Sequence, residues 1–80
     1  MSTDIDINLT EHETAETLAE KIQAARKHGD TSARFAYRHQ GVWVNHFHSE
    51  GLGSSLELAR LAIASLNRQL KRLGKTLLAA

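Results

Sequence analysis

Apolar and polar residues alternate at the start of this chain and then recur at helical spacing. The alternation covers residues 3–9 and puts the three aliphatic side chains on one side, as a half-buried strand requires. Beyond it the apolar positions step by three and four residues, which predicts an amphipathic helix over residues 11–28. Thr10 and Glu13 have the spacing of a capping box at the start of this helix, and Gly29 follows its end.

The middle of the chain predicts a β-hairpin. Two β-prone runs flank Gln40 and Gly41, so we expect strands at about residues 33–39 and 42–48. This segment holds all four aromatic residues of the chain and three of its five histidines. It is therefore the part of the sequence with the most unusual chemistry.

The last apolar stripe predicts a helix over residues 55–73. Ser54 and Glu57 form a second capping box at its start, and Gly74 follows it. Its apolar positions recur with four-three spacing at Leu56, Ala59, Ile63, Leu66, Leu70, Leu73 and Leu77. This seam can pack on the chain's own sheet, or it can pack against the same helix of a second copy as in a coiled coil. Because an 80-residue domain gains stability by sharing a core, we expect a homodimer.

These elements predict a small α+β fold in the order β-α-β-β-α. We expect residues 1–80 to form one domain, with the hairpin covered on one face by both helices. The chain has no cysteine, so neither disulfides nor thiolate metal sites stabilise it. The second face of the sheet is left without a cover, and an uncovered face that carries aromatic residues usually marks a partner surface.

The register of the hairpin decides which side chains occupy that free face, and the sequence allows two registers. A two-residue turn pairs His39 with Val42 and turns the other set of side chains outward, namely Arg34, Arg38, Trp43 and Phe47. A three-residue loop pairs His39 with Trp43, which gathers all four aromatics on one face and exposes a surface of arginines and histidines. In both registers the two arginines face away from Phe35 and Tyr37.

Two histidines near the end of the hairpin are candidates for metal binding or acid–base chemistry. His46 and His48 lie on the same strand face, with Glu50 next in line. A metal site needs further ligands, and catalysis needs a nucleophile or oxyanion donor that no motif supplies. We therefore expect histidines at the rim of a binding surface, with no metal, no cofactor and no enzymatic activity.

Charge is distributed unevenly along the chain. Residues 1–25 carry a net charge of −5 and residues 26–80 a net charge of +6, which sum to +1. The basic residues of the last helix are suited to contact a nucleic-acid backbone. This alternative function would use Arg60, Arg68, Lys71, Arg72 and Lys75 of the last helix and its end, together with the hairpin arginines Arg34 and Arg38.

The favoured function is a non-enzymatic protein-binding module that occludes a surface of its partner. Aromatic residues and arginines are enriched among the residues that dominate interface energetics. The predicted contact residues are Arg34, Tyr37, Arg38, Trp43, His46, Phe47 and His48. Small cysteine-free domains without catalytic motifs are a common format for phage- or mobile-element-encoded inhibitors of host machinery, including anti-CRISPR proteins. No signal peptide or membrane-spanning run is visible, so a cytoplasmic protein without membrane contact is expected.

Overall fold

A computed structural model describes residues 4–26, 34–47 and 54–79 of the chain. It contains three strands and two helices in the predicted order and confirms the small α+β fold. The elements are β1 (Asp4–Asn8), α1 (Ala15–Arg26), β2 (Arg34–His39), β3 (Val42–Phe47) and α2 (Ser55–Arg72). Within the described residues, neither helix is long and apolar enough to cross a membrane.

The three strands form one mixed sheet with β2 in the centre. β1 pairs with β2 in parallel, and β2 pairs with β3 antiparallel. The antiparallel register joins His39 to Val42, which confirms the two-residue turn and excludes the three-residue loop. Gln40 and Gly41 have φ angles of 51° and 79°, and a type I′ turn needs positive φ at both positions.

A single hydrophobic core lies between one face of the sheet and the helices. α2 packs against β3 and β2, and α1 packs against α2. Alternation along each strand sends one row of side chains into this core, because successive residues of a strand point to opposite faces. The largest fully buried side chains are Tyr37, Phe35, Leu18, Ile22, Ile63, Leu66 and Leu70. The rings of Phe35 and Tyr37 stack with their centroids 6.1 Å apart.

The start of α1 differs from the prediction. The helix begins at Ala15, because Thr14 and Thr17 cap it reciprocally. The Thr17 amide donates to the Thr14 hydroxyl at 3.3 Å, and the Thr14 amide donates to the Thr17 hydroxyl at 3.0 Å. Of the predicted box at residues 10–13, one bond is present, because the Thr10 amide donates to the Glu13 carboxylate at 3.2 Å. The other is not, because the Glu13 amide donates to the Thr10 carbonyl rather than to its hydroxyl, so the segment is a turn. The predicted helix end at residue 28 and Gly29 lie outside the described residues.

The ends of α2 follow the predicted chemistry within one residue. The Ser54 hydroxyl accepts from the Glu57 amide at 3.2 Å, so the helix begins at residue 55 as expected. Gly74 has a φ of 69°, and the amides of Gly74 and Lys75 donate to the carbonyls of Lys71 and Leu70. This pair of bonds is a Schellman motif, which explains why the helix ends at Arg72.

The apolar seam of α2 packs on the chain's own core. Its members from Ala59 to Leu70 are buried, whereas Leu73 and Leu77 are largely exposed. Of the two interpretations of the seam, packing within the chain itself is therefore the one that the structure shows. The homodimer stays a prediction, and a coiled coil along the buried seam is not available to it.

Candidate functional site

The side of the sheet that faces away from the helices is exposed, and we call it the open face. Alternation places polar side chains on β1 and an arginine and an alanine on β2, while β3 contributes a tryptophan and an asparagine. Its described members are Asp6, Asn8, Ala36, Arg38, Trp43 and Asn45. All of them except Ala36 are exposed, and no helix in the described part of the chain covers them.

Trp43 and Arg38 occupy the centre of the candidate site, directly opposite each other on neighbouring strands. Trp43 is 55% exposed, although a tryptophan side chain is usually well buried. The two residues line an open depression of about 320 Å³ next to the hairpin turn, together with Asn8 and Gly41. The arrangement presents a large ring, a cation and an amide on one rigid sheet.

The Arg38 guanidinium has one ionic neighbour among the described residues. Its Nη2 lies 3.8 Å from Oδ1 of Asp6, and both side chains are more than half exposed. An exposed pair at this distance contributes little to stability, on the order of 0–1 kcal/mol. Arg38 can therefore exchange Asp6 for a carboxylate of a partner at small cost.

The structure places some of the predicted contact residues on the open face and one of them in the core. Arg38 and Trp43 lie on the open face, whereas Tyr37 is fully buried in the core. The inclusion of Tyr37 was wrong, because the two-residue turn places it on the helix-facing side. The side chains of Arg34, His46 and Phe47 lie outside the described part of the structure, as does the whole of His48. For Arg34, His46 and Phe47, the strand register shows the backbone pairs, in which Arg34 lies opposite Phe47 and Phe35 lies opposite His46.

His39 is a structural residue of the core edge. It is 5% exposed, and its Nδ1 lies 3.2 Å from the Leu9 carbonyl oxygen, which can only accept. Nδ1 therefore donates this bond, and Nε2 accepts from the Gln40 side-chain amide at 3.0 Å. Both ring nitrogens are engaged, so His39 is not free to complete a metal site with His46. Glu50, the third member of the predicted histidine cluster, lies outside the described residues.

A buried carboxylate, Glu13, was not identified as such from the sequence. Its side chain accepts from Lys21 Nζ at 2.6 Å, from the Thr10 amide at 3.2 Å and from the Thr17 hydroxyl. Burial alone would raise the pKa of Glu13, but the hydrogen bonds from Lys21, Thr17 and Thr10 outweigh it and lower the pKa below its usual value. This cluster joins the start of α1 to the end of β1, since Lys21 also donates to the Asn8 carbonyl.

The basic residues proposed for nucleic-acid binding are all exposed. Four of them belong to α2, namely Arg60, Arg68, Lys71 and Arg72, and two of these, Arg68 and Arg72, line a groove between α2 and β3. In the described part of the chain, neither ion pair involves any of the four. Lys75 is placed differently, because its Nζ donates to the Gln40 carbonyl at 2.6 Å and ties the end of α2 to the hairpin turn.

The described side chains of the open face offer several kinds of binding contact. Trp43 offers apolar area, Arg38 offers a fork of donors, and the asparagines donate and accept hydrogen bonds. The described residues contain no group of three histidines or carboxylates that could hold a metal ion. Comparison of the chain with protein-family models, with curated proteins and with solved structures finds no match.

Proposed function

We propose that this protein is a non-enzymatic binding module that covers a surface of a partner protein with its open face. The observation that carries the proposal is the exposure of Trp43 on a sheet face that no described helix covers. Beside it lies Arg38, whose ionic partner among the described residues is Asp6 in a weak ion pair. Tryptophan and arginine are the residue types most enriched among interface hot spots. The sheet already fixes the backbone at both positions, so binding would cost little backbone entropy.

The mode of action that we propose is occlusion. The effect would come from occupying a site that another molecule needs, which is consistent with the absence of a metal-binding group of three histidines or carboxylates among the described residues. The small cysteine-free format is also that of phage- or mobile-element-encoded inhibitors, anti-CRISPR proteins among them. This part of the proposal rests on format alone.

Substitutions on the open face should abolish partner capture without unfolding the protein. We expect Trp43→Ala and Arg38→Glu each to weaken capture about tenfold or more, which is the effect of losing an interface hot spot. The measurement is an affinity pulldown from lysate of the source cells, with quantitative mass spectrometry of the retained proteins. Circular dichroism checks that each variant keeps the wild-type fold.

The matched control is Arg60→Glu, which makes the same charge change on the outer side of α2. It should retain every partner that the wild type retains. If Arg38→Glu and Trp43→Ala capture the same proteins as the wild type, the open face is not the binding surface and the proposal is wrong.

A second candidate function is nucleic-acid binding by the exposed basic residues of α2. The specific observation in its favour is the row of exposed cations at Arg60, Arg68, Lys71 and Arg72, which have no carboxylate partner among the described residues. Exposed cations of this kind can contact phosphate groups and need no base-specific contact.

This alternative predicts an affinity for generic DNA or RNA that falls steeply with salt. Each phosphate neutralised contributes a slope of about −0.9 in log K against log salt for a duplex. The double variant Arg60→Glu with Lys71→Glu should flatten that slope, and fluorescence anisotropy with a labelled oligonucleotide measures it. Absence of any binding at low salt would rule out the alternative.

A further inference from the structure

Within residues 4–26, 34–47 and 54–79, the outer edge of β3 is unprotected. In the described part of the structure β3 has a hydrogen-bonded neighbour on one side only, which is β2. Edge strands usually carry a charge, a proline or a bulge that discourages further pairing. The sequence of β3 is Val-Trp-Val-Asn-His-Phe, which contains no proline, no aspartate or glutamate, and no lysine or arginine. Its register with β2 runs without a bulge from Val42 to Phe47. The opposite edge, β1, carries Asp4 and Asp6.

A groove of about 340 Å³ runs between this free edge and α2. One wall is β3, at Val44 and Asn45, and the other wall consists of polar residues of the helix. The helix contributes Ser65, Arg68, Gln69 and Arg72. The Arg68 guanidinium donates to the Ser65 hydroxyl at 3.2 Å and has no carboxylate partner among the described residues. The groove is therefore positively charged.

We propose that the edge of β3 binds an extended segment of a partner protein as an additional strand of the sheet. The inference rests on the proposed function, because it names the kind of protein segment that the module binds. The free backbone groups of β3 would pair with the segment, as in other cases of strand addition. The groove charge requires carboxylates on the segment, since acidic groups complement Arg68 and Arg72.

The geometry of a strand also fixes the pattern of the segment. Successive side chains of an added strand point to opposite faces of the sheet. On one face they meet Arg68 and Arg72, and on the other they lie beside Trp43. The segment that fits best therefore alternates acidic and apolar residues, with its acidic side chains toward α2 and its apolar ones toward Trp43.

A second copy of β3 fits this edge less well than an acidic segment does. An antiparallel β3–β3 pair would be related by a two-fold axis, so residues at the edge of one copy would meet the same residues of the other. Arg68 and Arg72 of both copies would then be brought together, and like charges held at close range are unfavourable. The charge of the groove therefore selects an acidic partner rather than self-association.

The probe is a capped peptide as long as β3 with alternating aspartate and valine residues. The chain has one tryptophan, Trp43, so its fluorescence reports binding at the neighbouring edge. We expect the peptide to bind, and we expect a peptide with lysine in place of aspartate not to bind. Arg68→Glu with Arg72→Glu should weaken binding of the acidic peptide about tenfold or more, because charge-assisted hydrogen bonds are lost.

The matched control is Arg60→Glu with Lys71→Glu, an equal change of charge on α2 outside the groove. It should bind the acidic peptide within about twofold of the wild type, because neither side chain lines the groove and salt screens exposed charges. The inference would be overturned if both double variants lost binding equally, or if the lysine peptide bound as well as the acidic one. It would also be overturned if the acidic peptide did not bind at all, or if the wild type self-associated through this edge. If the peptide fails while capture of a host protein still depends on Arg38 and Trp43, this inference falls and the proposed function stands.

Discussion

Tyr37→Ala should lower the free energy of unfolding by about 3–5 kcal/mol, the usual cost of deleting a large buried ring. Tyr37 is fully buried and stacks on Phe35 in the core. Trp43→Ala, on the neighbouring strand but the opposite face, should cost about 1 kcal/mol or less, because that ring is 55% exposed. The total stability of a domain is about 5–15 kcal/mol, so the first variant would be close to unfolding.

The measurement is urea denaturation followed by far-ultraviolet circular dichroism, since Trp43→Ala removes the only tryptophan. Tyr37→Phe is the matched control, because it keeps the ring and should cost no more than about 1.5 kcal/mol for the hydroxyl. If Trp43→Ala were as destabilising as Tyr37→Ala, Trp43 would belong to the core, and the open face would lose its central residue.

The contrast between these two rings also shows how far the sequence determines the candidate site. The alternation of the hairpin limits the choice to two registers, but both of them bury a plausible set of aromatic residues. The decision comes from the turn, where Gln40 and Gly41 both adopt positive φ and so allow a two-residue connection. Gln-Gly is a weaker signal for such a turn than Asn-Gly, and sequence reasoning therefore left Tyr37 and Trp43 unresolved.

The helices were predictable because their determinants are local. Ser54 and Gly74 set the ends of α2 through hydrogen bonds within one turn of the helix. The start of α1 was harder, because Thr10 with Glu13 and Thr14 with Thr17 both have capping spacing. What separates them is the Glu13 amide, which donates to the Thr10 carbonyl and closes a turn, while the Glu13 carboxylate bonds both to the Thr10 amide and to Lys21.

The free edge of β3 could not be predicted from the sequence. Apolar alternation predicts strands but not their order, so nothing in the sequence indicates which strand has a free edge. The order β1-β2-β3 also brings the basic end of α2 beside β3 and keeps it away from the acidic β1. The charge asymmetry seen in the sequence thus becomes an asymmetry between the two edges of the sheet.

Glu13→Gln should lower stability at neutral pH by about 1–3 kcal/mol, the range for buried hydrogen bonds to a charged group. The carboxylate is almost fully buried and accepts from Lys21, Thr10 and the Thr17 hydroxyl. Lys21→Met should destabilise by a similar amount, because it leaves a buried charge without its cation. The exposed Glu20→Gln, on the same helix, is the matched control and should change stability by about 0.5 kcal/mol or less.

The same cluster predicts how stability depends on pH. Because its hydrogen bonds lower the pKa of Glu13 in the folded state, the carboxylate contributes stability that is fully present above the unfolded pKa of about 4.3. That contribution is lost as the pH falls through the lower, folded-state pKa. Urea titrations from pH 7 to about pH 2 should therefore show wild type and Glu13→Gln converging only below about pH 4.3. A difference that grows on acidification would mean that burial, which raises the pKa, outweighs Lys21 and its neighbours.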